Sequence, residues 1–574
     1  MKLREIIKKN RLLANTMVGP HKKIAIIGNI TLLNLKDIFE FELRLSGLNV
    51  DIHLGNYDSL VQDSERFSSY DAVIVFYEIA NLVEGLHYKY HTYDQKNVDR
   101  LISKVEQELG LALKTLRSCP IVLINNFTPN AFDFDPLRES VLRQLCNKLN
   151  KFVETNVNFN QKVLNIEMII AKTGLDYAFD YRQYQQSKSL YTKDFFVNYS
   201  RMVKPAFLSA YGLGKKVLVL DCDNTLWGGI LGEDGPNKIQ IDANSMRGKV
   251  FFEVQHLIKD LQKQGVLLAI CSKNNYSEVE AVFKSNQNMI LDNEDFVAKR
   301  VNWEDKASNL QSLSEELNLG LDSFVFVDDS EFEVGLVNAQ LPMIKTILVP
   351  KNLSEYPRTI IDLREDFFLL SQSNEDLAKT QMYLDQNVRE GHKSSFGLFD
   401  DYLSSLQLKI NIYWGDDIPI ARAAQMTQKT NQFNLTTKRY TEADIQRFVD
   451  DKNVVIGAFS LTDQFGDYGV TGLTIVRISG DEKSSGFIDT FLMSCRVIGR
   501  NVEYSFFESI VSKLKDMNVS ELNAEFSPSL KNKQVENFYD KLGFDLVSKD
   551  EKHRLYCVQM LNFTPKNIKY IITS

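Results

Sequence analysis

Cysteine, proline and tryptophan are scarce in this 574-residue chain, at six, 12 and three residues. The cysteines (Cys119, Cys146, Cys222, Cys271, Cys495 and Cys557) form no C-x-x-C pair, and two of them sit inside apolar runs. Neither a zinc site nor a disulfide framework is expected, and reducing cytoplasm is the expected compartment. No segment approaches the roughly 20 apolar residues that span a bilayer, and the opening MKLREIIKKNRLLANTMVGP lacks a continuous apolar h-region, so no membrane partner and no export are expected. An excess of basic charge is also missing. The 67 basic and 75 acidic side chains leave −8, which removes the electrostatic footprint of a nucleic-acid partner. A hydrophobic fraction of 44% with 25% charged residues excludes disorder and fibrous repeats.

At this length several separate cores are required. After an amphipathic opening helix, short apolar runs (Lys23 to Gly28, Asp71 to Tyr77, Pro120 to Asn125, Lys162 to Ile170) alternate with helical patterns, which predicts an α/β layer with a parallel sheet over 1–185. Residues 186–214 read as a linker helix. A second α/β unit over 215–370 opens with the strand Lys216 to Leu220. A charged stretch from about Asn374 to Gly391 makes 371–404 a helical connector. From 405 to 565 the texture changes: Val454 to Leu461, Tyr468 to Ile478 and Ser485 to Leu492 read as antiparallel strands, followed by a helix from Val502 to Lys515. The whole is an α/β multidomain chain with a C-terminal α+β region.

The chemistry concentrates first in VLVLDCDNTLWGG, where an apolar strand ends in Asp221, Asp223 and Thr225. Ligands of open α/β sheets bind at that carboxyl edge. Strand alternation would put Asp221 and Asp223 on one side, where two acids repel unless a cation lies between them. LLAICSKNN ends a further apolar strand in Ser272, with Asn274 close behind; WEDKASNL brings Lys306; FVFVDDS ends a third strand in Asp328 and Asp329. A nucleophile, an acid/base, a hydroxyl donor, a cation and metal-binding carboxylates are the requirements for phosphoryl transfer through an aspartyl phosphate. Cys222, between the two acids, is expected to point into the core.

The order D-x-D-x-T, Ser, Lys, DD closely resembles the four motifs of haloacid-dehalogenase (HAD) phosphatases. The resemblance implies Asp221 as nucleophile, Asp223 as general acid/base, Lys306 as charge stabiliser, and Thr225, Ser272 and Asn274 as phosphate binders. It implies Mg²⁺ on Asp221, the carbonyl of Asp223 and Asp329, with Asp328 one step behind.

Farther on, Arg496-Val497-Ile498-Gly499-Arg500-Asn501 follows a strand and opens a helix, and Asn537-Phe538-Tyr539 precedes Leu542-Gly543-Phe544. Both resemble features of GCN5-related N-acetyltransferases (GNAT). Exposed backbone N–H groups at a helix amino end would take the pyrophosphate of coenzyme A or the phosphate of a phosphopantetheine arm. Arg500 and Asn501 stand where that family has small residues, which disfavours an ordinary acetyl-coenzyme A site. Cys495 precedes the loop, beside Arg496 and close to a helix start; it is either a catalytic thiol for thioester chemistry or a small buried hydrophobe.

The strings Arg422 to Thr437 and Asp463 to Gly472, with DCDNTLWGG and FLMSCRVIGRNVE, resemble the FkbH family, which joins a HAD domain to a GNAT-like domain. That resemblance, over 210–565, implies formation of a glyceryl thioester on an acyl carrier protein from a 1,3-bisphosphoglycerate-like donor, with loss of phosphate. Mg²⁺ and the carrier's phosphopantetheine arm are the implied cofactors. A stand-alone Mg²⁺ phosphatase with a non-catalytic C-terminal module, and an assembly scaffold, are the competing readings. Gly28-Asn29-Ile30-Thr31 and Asp180 resemble an SGNH-hydrolase layout (flavodoxin-like in its layering), yet the serine and histidine of that layout are absent. His87 and His91 are expected to be surface or packing residues, and the region a scaffold or degenerate hydrolase.

Overall fold

A computed structural model describes residues 2–17, 21–133, 135, 137–158, 160–370, 378–393, 399–430, 432–479, 485–529, 532–550 and 553–573. Asn374, where the charged stretch was expected to begin, and Asn431 lie outside them. The chain forms two compact units, Met1–Leu208 with Tyr440–Arg447, and Ser209–Arg439 with Phe448–Ser574.

The first unit holds a parallel sheet in the order β2-β1-β3-β4-β5, from β1 (Lys22–Gly28), β2 (Val50–Leu54), β3 (Ala72–Phe76), β4 (Val122–Asn125) and β5 (Gln161–Leu164). Its central strands are buried along their length because helices cover both faces of a parallel sheet. The apolar run Lys162 to Ile170 is only half strand. Asn165 accepts a hydrogen bond from the Glu167 N–H at 3.0 Å and so caps a helix over Ile166–Thr173.

The segment 186–214 runs from this unit into the second, the boundary falling at Leu208. It contains a helix, α1 (Lys193–Ala210), and Tyr191, Phe195 and Tyr199 pack against Phe76 at ring separations of 5.4, 6.5 and 5.3 Å. The Tyr191 hydroxyl donates to Glu78 Oε2 at 2.8 Å and that of Tyr199 to Asn125 Oδ1 at 2.9 Å. The residues of the hydrolase-like layout do structural work. Asn29 holds the backbone of Glu78 through both N–H and carbonyl, and Asp180 caps the helix Tyr181–Ser187. His87 packs on Tyr88, Phe132 and Tyr184.

In the second unit, a parallel sheet in the order β10-β9-β6-β7-β8 is built from β6 (Val217–Leu220), β7 (Leu267–Ser272), β8 (Phe296–Val301), β9 (Phe324–Asp328) and β10 (Lys345–Leu348). A helix, α2 (Lys306–Glu316), leads from β8 to β9.

The same unit contains a larger, mostly antiparallel sheet of β11 (Leu408–Trp414), β13 (Val454–Asp463), β14 (Gly466–Ser479), β15 (Ser485–Met493), β16 (Glu521–Phe526), β17 (Asp545–Lys549), β18 (Arg554–Gln559) and β19 (Ile571–Thr573), with the short β12 (Phe433–Asn434) on β15. Parallel β15 and β16 are joined through α5 (Val502–Asp516), whose Val502, Phe506, Phe507 and Ile510 enter the core; α3 (Lys379–Lys393) and α4 (Ile420–Lys429) complete the elements used below. Together these elements form a C-terminal α+β domain. Its sheet continues past 565, because β19 pairs in parallel with β11.

Glu78, fully buried beyond β3, generates a pH dependence. Burial pushes its carboxyl up to about 7 from 4.5, against the pull of the Tyr191 hydroxyl. Between those values the folded state holds a proton that the unfolded chain has released, so this contribution is complete below pH 4.5 and is lost as pH rises through 7. Urea unfolding of wild type and Glu78→Gln should therefore diverge by about 2–3 kcal/mol between pH 5 and pH 8, with wild type losing more; parallel pH profiles would contradict the assignment.

Candidate active site

β6 and β9 are neighbours, in register at Leu220 and Val327, and the Asp221 N–H donates to the Val327 carbonyl at 3.1 Å. Asp221, immediately after β6, therefore lies beside Asp328, the last residue of β9, and Asp329. One carboxylate oxygen from each of the three falls within 4.8 Å of the others. Lys306 is the first residue of α2, placed there by the Asp305 N-cap. Its Nζ lies 3.1 Å from Asp221 Oδ1 and 2.5 Å from Asp328 Oδ2, and its side chain is 4% exposed.

Three carboxylates and one ammonium leave two negative charges in a poorly hydrated place. Burial alone would lower Lys306, but Asp221 and Asp328 outweigh it and hold the ammonium above its usual range. Asp328 is raised by burial and by Asp221, effects that exceed the pull of its lysine partner. Asp329 is raised by burial and Asp221 as well. An arrangement of hard oxygen ligands with uncompensated negative charge fits a divalent cation such as Mg²⁺. Asp221 Oδ1 is buried and meets only the Lys306 ammonium, at 3.1 Å.

Alternation does not explain where Asp223 sits. The chain turns at once after Asp221, with the Thr225 and Leu226 N–H groups donating to the Cys222 carbonyl at 3.2 and 2.8 Å, and Asn224 takes the left-handed φ of 52°. Asp223 is then held by three donors: Trp227 Nε1 at 2.9 Å and the Leu231 N–H at 3.1 Å on Oδ1, and Asn274 Nδ2 at 2.9 Å on Oδ2. Burial raises its pKa against those bonds. Asn274 thus holds the Asp223 carboxylate in this structure. The Thr225 hydroxyl is buried with no partner, a donor available to a phosphoryl oxygen. Ser272, 2% exposed, closes β7 beside Cys222, whose thiol is fully buried and pushed well up by burial; that is a structural cysteine.

Several supporting residues carry no motif. Asn224 Oδ1 accepts from Arg247 and the Gly229 N–H at 2.7 and 3.0 Å, the Tyr356 hydroxyl donates to the Thr225 carbonyl at 3.1 Å, and Lys273 pairs with Glu333 at 2.6 Å. Only the WGG that follows the acids hints in the sequence at this bracing.

The second cluster is arranged differently from expectation. Cys495 opens a single 3₁₀ turn through Val497, and α5 begins only at Val502, so the thiol is not at the helix amino end. It is partly exposed, 4.0 Å from the carbonyl of Asn318 in the phosphatase-like domain. The Arg496 guanidinium lies against Ser494 Oγ and Met382 Sδ. Arg500 is 6% exposed and turned inward: it stacks over the Tyr468 ring at 4.8 Å and donates to Gln386 and to the Arg496 carbonyl. Asn501 donates to the Tyr570 hydroxyl at 2.7 Å. The side chains of Arg500 and Asn501 therefore brace the loop, and only Gly499, at φ 83°, keeps its backbone clear of neighbours.

β15 pairs with β16 only through Ser485–Ile488; beyond that, its edge is taken by β12, with Phe433 opposite Met493 and Asn434 opposite Leu492. Leu435 continues the bridge, donating to the Phe491 carbonyl at 3.1 Å and accepting from the Ser527 N–H at 2.8 Å. The gap between the diverging strands is filled by Phe433–Leu435.

No family model matches the chain, and no curated protein matches it. It is similar to the crystal structure of the N-terminal part of the protein BF1531 from Bacteroides fragilis, which contains a phosphatase domain complexed with Mg. Identity is 25% and the TM-score 0.56, over 65% of this chain and 100% of that one. Over 28% of this chain and 98% of the other there is also likeness to the Escherichia coli ribosomal-protein-S18-alanine N-acetyltransferase, at 12% identity and a TM-score of 0.22. The PaiA N-acetyltransferase of Thermoplasma acidophilum, solved with coenzyme A, aligns at 12% identity with a TM-score of 0.18, over 21% of this chain and 72% of that one.

Proposed function

We propose that the chain is a Mg²⁺-dependent phosphatase of the HAD type joined to an acyltransferase of FkbH type, loading a glyceryl unit as a thioester on an acyl carrier protein. The observation that carries the first half is the convergence of Asp221, Asp328, Asp329 and Lys306 at one sheet edge, together with the Mg-bound phosphatase domain of the B. fragilis relative. Asp221, the carbonyl of Asp223 and Asp329 would hold the cation, while Asp328 is occupied by Lys306. Bound there, the cation would offset the charge of a phosphoryl group and of the nucleophile.

The chain's own residues then divide the work. Asp221 attacks phosphorus; the P–O bond to the leaving alcohol breaks, and Asp223 gives that oxygen its proton. Asp223 next takes a proton from water as the water attacks the aspartyl phosphate, releasing inorganic phosphate and restoring Asp221. Thr225 and Ser272 donate to phosphoryl oxygens, and Lys306 stabilises their charge.

In the second half, the Cys495 thiolate attacks the carbonyl carbon of an acyl phosphate. The carbon–oxygen bond to phosphate breaks, and phosphate leaves with the electron pair. The carrier's phosphopantetheine thiolate attacks the resulting thioester, and Cys495 leaves as thiolate. The partial exposure of Cys495 supports this part, whereas the inward-turned Arg500 favours the alternative of a stand-alone phosphatase with a binding module.

Asp221→Asn should abolish phosphate release from a simple phosphate ester, a loss of at least about 10³-fold, with an unchanged far-ultraviolet spectrum, because the amide keeps the shape without the nucleophile. Turnover near wild type would reject the site. Asp329→Asn should raise the Mg²⁺ concentration needed for half-maximal rate by about tenfold or more; an unaltered titration would hand the ligand role to Asp328. Cys495→Ala should spare phosphatase turnover but stop carrier loading. A glyceryl adduct accumulating at the wild-type rate, read by intact mass, would mean that the carrier thiol attacks the acyl phosphate directly.

A further inference from the structure

The strand order of the first unit reverses between β1 and β3, the place where open α/β sheets take ligands. That crevice is bridged by the chain's own side chains. Asn29 bonds both backbone groups of Glu78, and the Asn81 amide donates to the Asn29 carbonyl at 2.9 Å. A cavity of about 230 Å³ lies instead among the residues that follow β3 and β4, the start of the helix Leu60–Phe67 and the middle of the helix Gln95–Thr115. None of Gly28, Asn29, Glu78 and Asp180 lines it. Its size is just under the roughly 300 Å³ at which sites for drug-sized ligands begin, so it has room for a small molecule and none for a dinucleotide.

The deep wall is Tyr77, immediately after β3 and 6% exposed. Asp58, Glu108 and the Leu60 N–H all act on its phenolic oxygen. All three belong to cavity-lining residues, so the hydroxyl lies on the cavity side of the ring. It completes no hydrogen bond among the described residues, and its proton therefore has no acceptor. A buried donor left in that state is costly unless something from outside the fold accepts from it.

The outer wall is acidic. Asp58 is exposed, takes the left-handed φ of 55°, and is tied by its N–H to the Gly28 carbonyl at 3.1 Å. Lys104 is turned to Glu108, at 3.8 Å. Asp58 makes no ion pair among the described residues and feels Lys104 only at longer range; burial and Glu108 raise it more than that lysine lowers it. Two acids against one lysine disfavour an anion and leave one negative charge to be met. Between the two walls, Leu82, Val105, Leu109 and Phe127 supply apolar surface.

We infer that this cavity binds a small amphiphilic amine: its protonated amino group at Asp58, its carbon chain against Leu82, Val105, Leu109 and Phe127, and an oxygen that accepts from the Tyr77 hydroxyl. The site is separate from the chemistry proposed for the second unit and stands or falls without it.

The test is ligand-observed saturation-transfer NMR on the full-length protein, titrating ω-aminopentanol, L-leucinol, pentanol, pentylamine and pentanoate. At least one of the two amino alcohols should bind by about 10 mM, the weak end for a ligand of so few atoms. Pentylamine, which lacks the acceptor, and pentanol, which lacks the charge, should each bind more weakly, and pentanoate should not bind. Asp58→Asn should weaken the amino alcohol about threefold or more and leave pentanol unchanged. Tyr77→Phe should weaken it by a similar factor and bring it level with pentylamine, while the urea midpoint stays the same or rises, because the lost hydroxyl bonded nothing. Failure of both amino alcohols to bind, pentanoate binding as well as they do, affinity undiminished in either variant, or a lowered urea midpoint for Tyr77→Phe would overturn the inference.

Discussion

The buried ammonium of Lys306 is the charge around which the phosphatase-like domain is organised. Three carboxylates meet at the ends of β6 and β9, two of them buried, and burial with the neighbouring Asp221 works against the charge of Asp328 unless a cation offsets it. Lys306 compensates Asp221 and Asp328 directly, at 3.1 and 2.5 Å. That pairing requires β6 and β9 to be adjacent, which the strand order provides, and it requires α2 to start at the same sheet edge, which the Asp305 cap provides. The remaining negative charge, on Asp221 and the exposed Asp329, is what a divalent ion and a phosphoryl group would complete. The site is thus built to be electrostatically incomplete on its own.

A second buried pair organises the C-terminal domain. Arg389 of α3 and Asp463 of β13 meet at 2.8 Å with side chains 1% and 0% exposed, and Tyr468 donates to the same carboxylate at 2.7 Å. Burial would raise Asp463, but those bonds and the guanidinium hold it below its usual range. Arg389 and Arg500 both stack on the Tyr468 ring, at 4.1 and 4.8 Å. Six residues before Arg389, Tyr383 enters the core of the phosphatase-like domain. The connector is therefore a structural brace, gripping one domain near its start and the other near its middle.

What was legible in the sequence follows physical rules. Apolar runs buried on both faces, such as VLVL before Asp221 and FVFVD before Asp329, announce central parallel strands, and acids at their ends announce a ligand edge. VDIHL and KTIL are short or half-polar edge strands, and they do not stand out from loops. The run at Lys162 to Ile170 merged a strand with a helix because one apolar stretch serves both, and only Asn165 marks the boundary. The helix after 186 read as a linker because its aromatic face has meaning only once Phe76 is opposite it. Among the site residues, spacing cannot show that the Asn274 amide faces Asp223. The expectation of a small residue at 501 also missed a local option: asparagine tolerates the left-handed backbone found there, at φ 63°.

The plugged strand gap bears on how the two sites of the proposed function are separated. Phe433 and Leu435 are core residues, packed on Phe491 and Phe538, so the plug is part of the fold rather than a removable lid. A ligand bound at Cys495 therefore meets the amino edge of the phosphatase-like sheet, while the aspartates face the carboxyl edge. Strand length and helix α2 keep these edges about 15 Å apart, with the packed sheet between them. On the proposed reading, an acyl phosphate would not touch both sites at once: either the donor would lose its ester phosphate before reaching Cys495, or the acyl group would travel onward on the carrier arm and be dephosphorylated afterwards. A flexible arm suits the second order, because it can carry a covalently held substrate around the sheet without release into solvent, at a high effective concentration set by its tether.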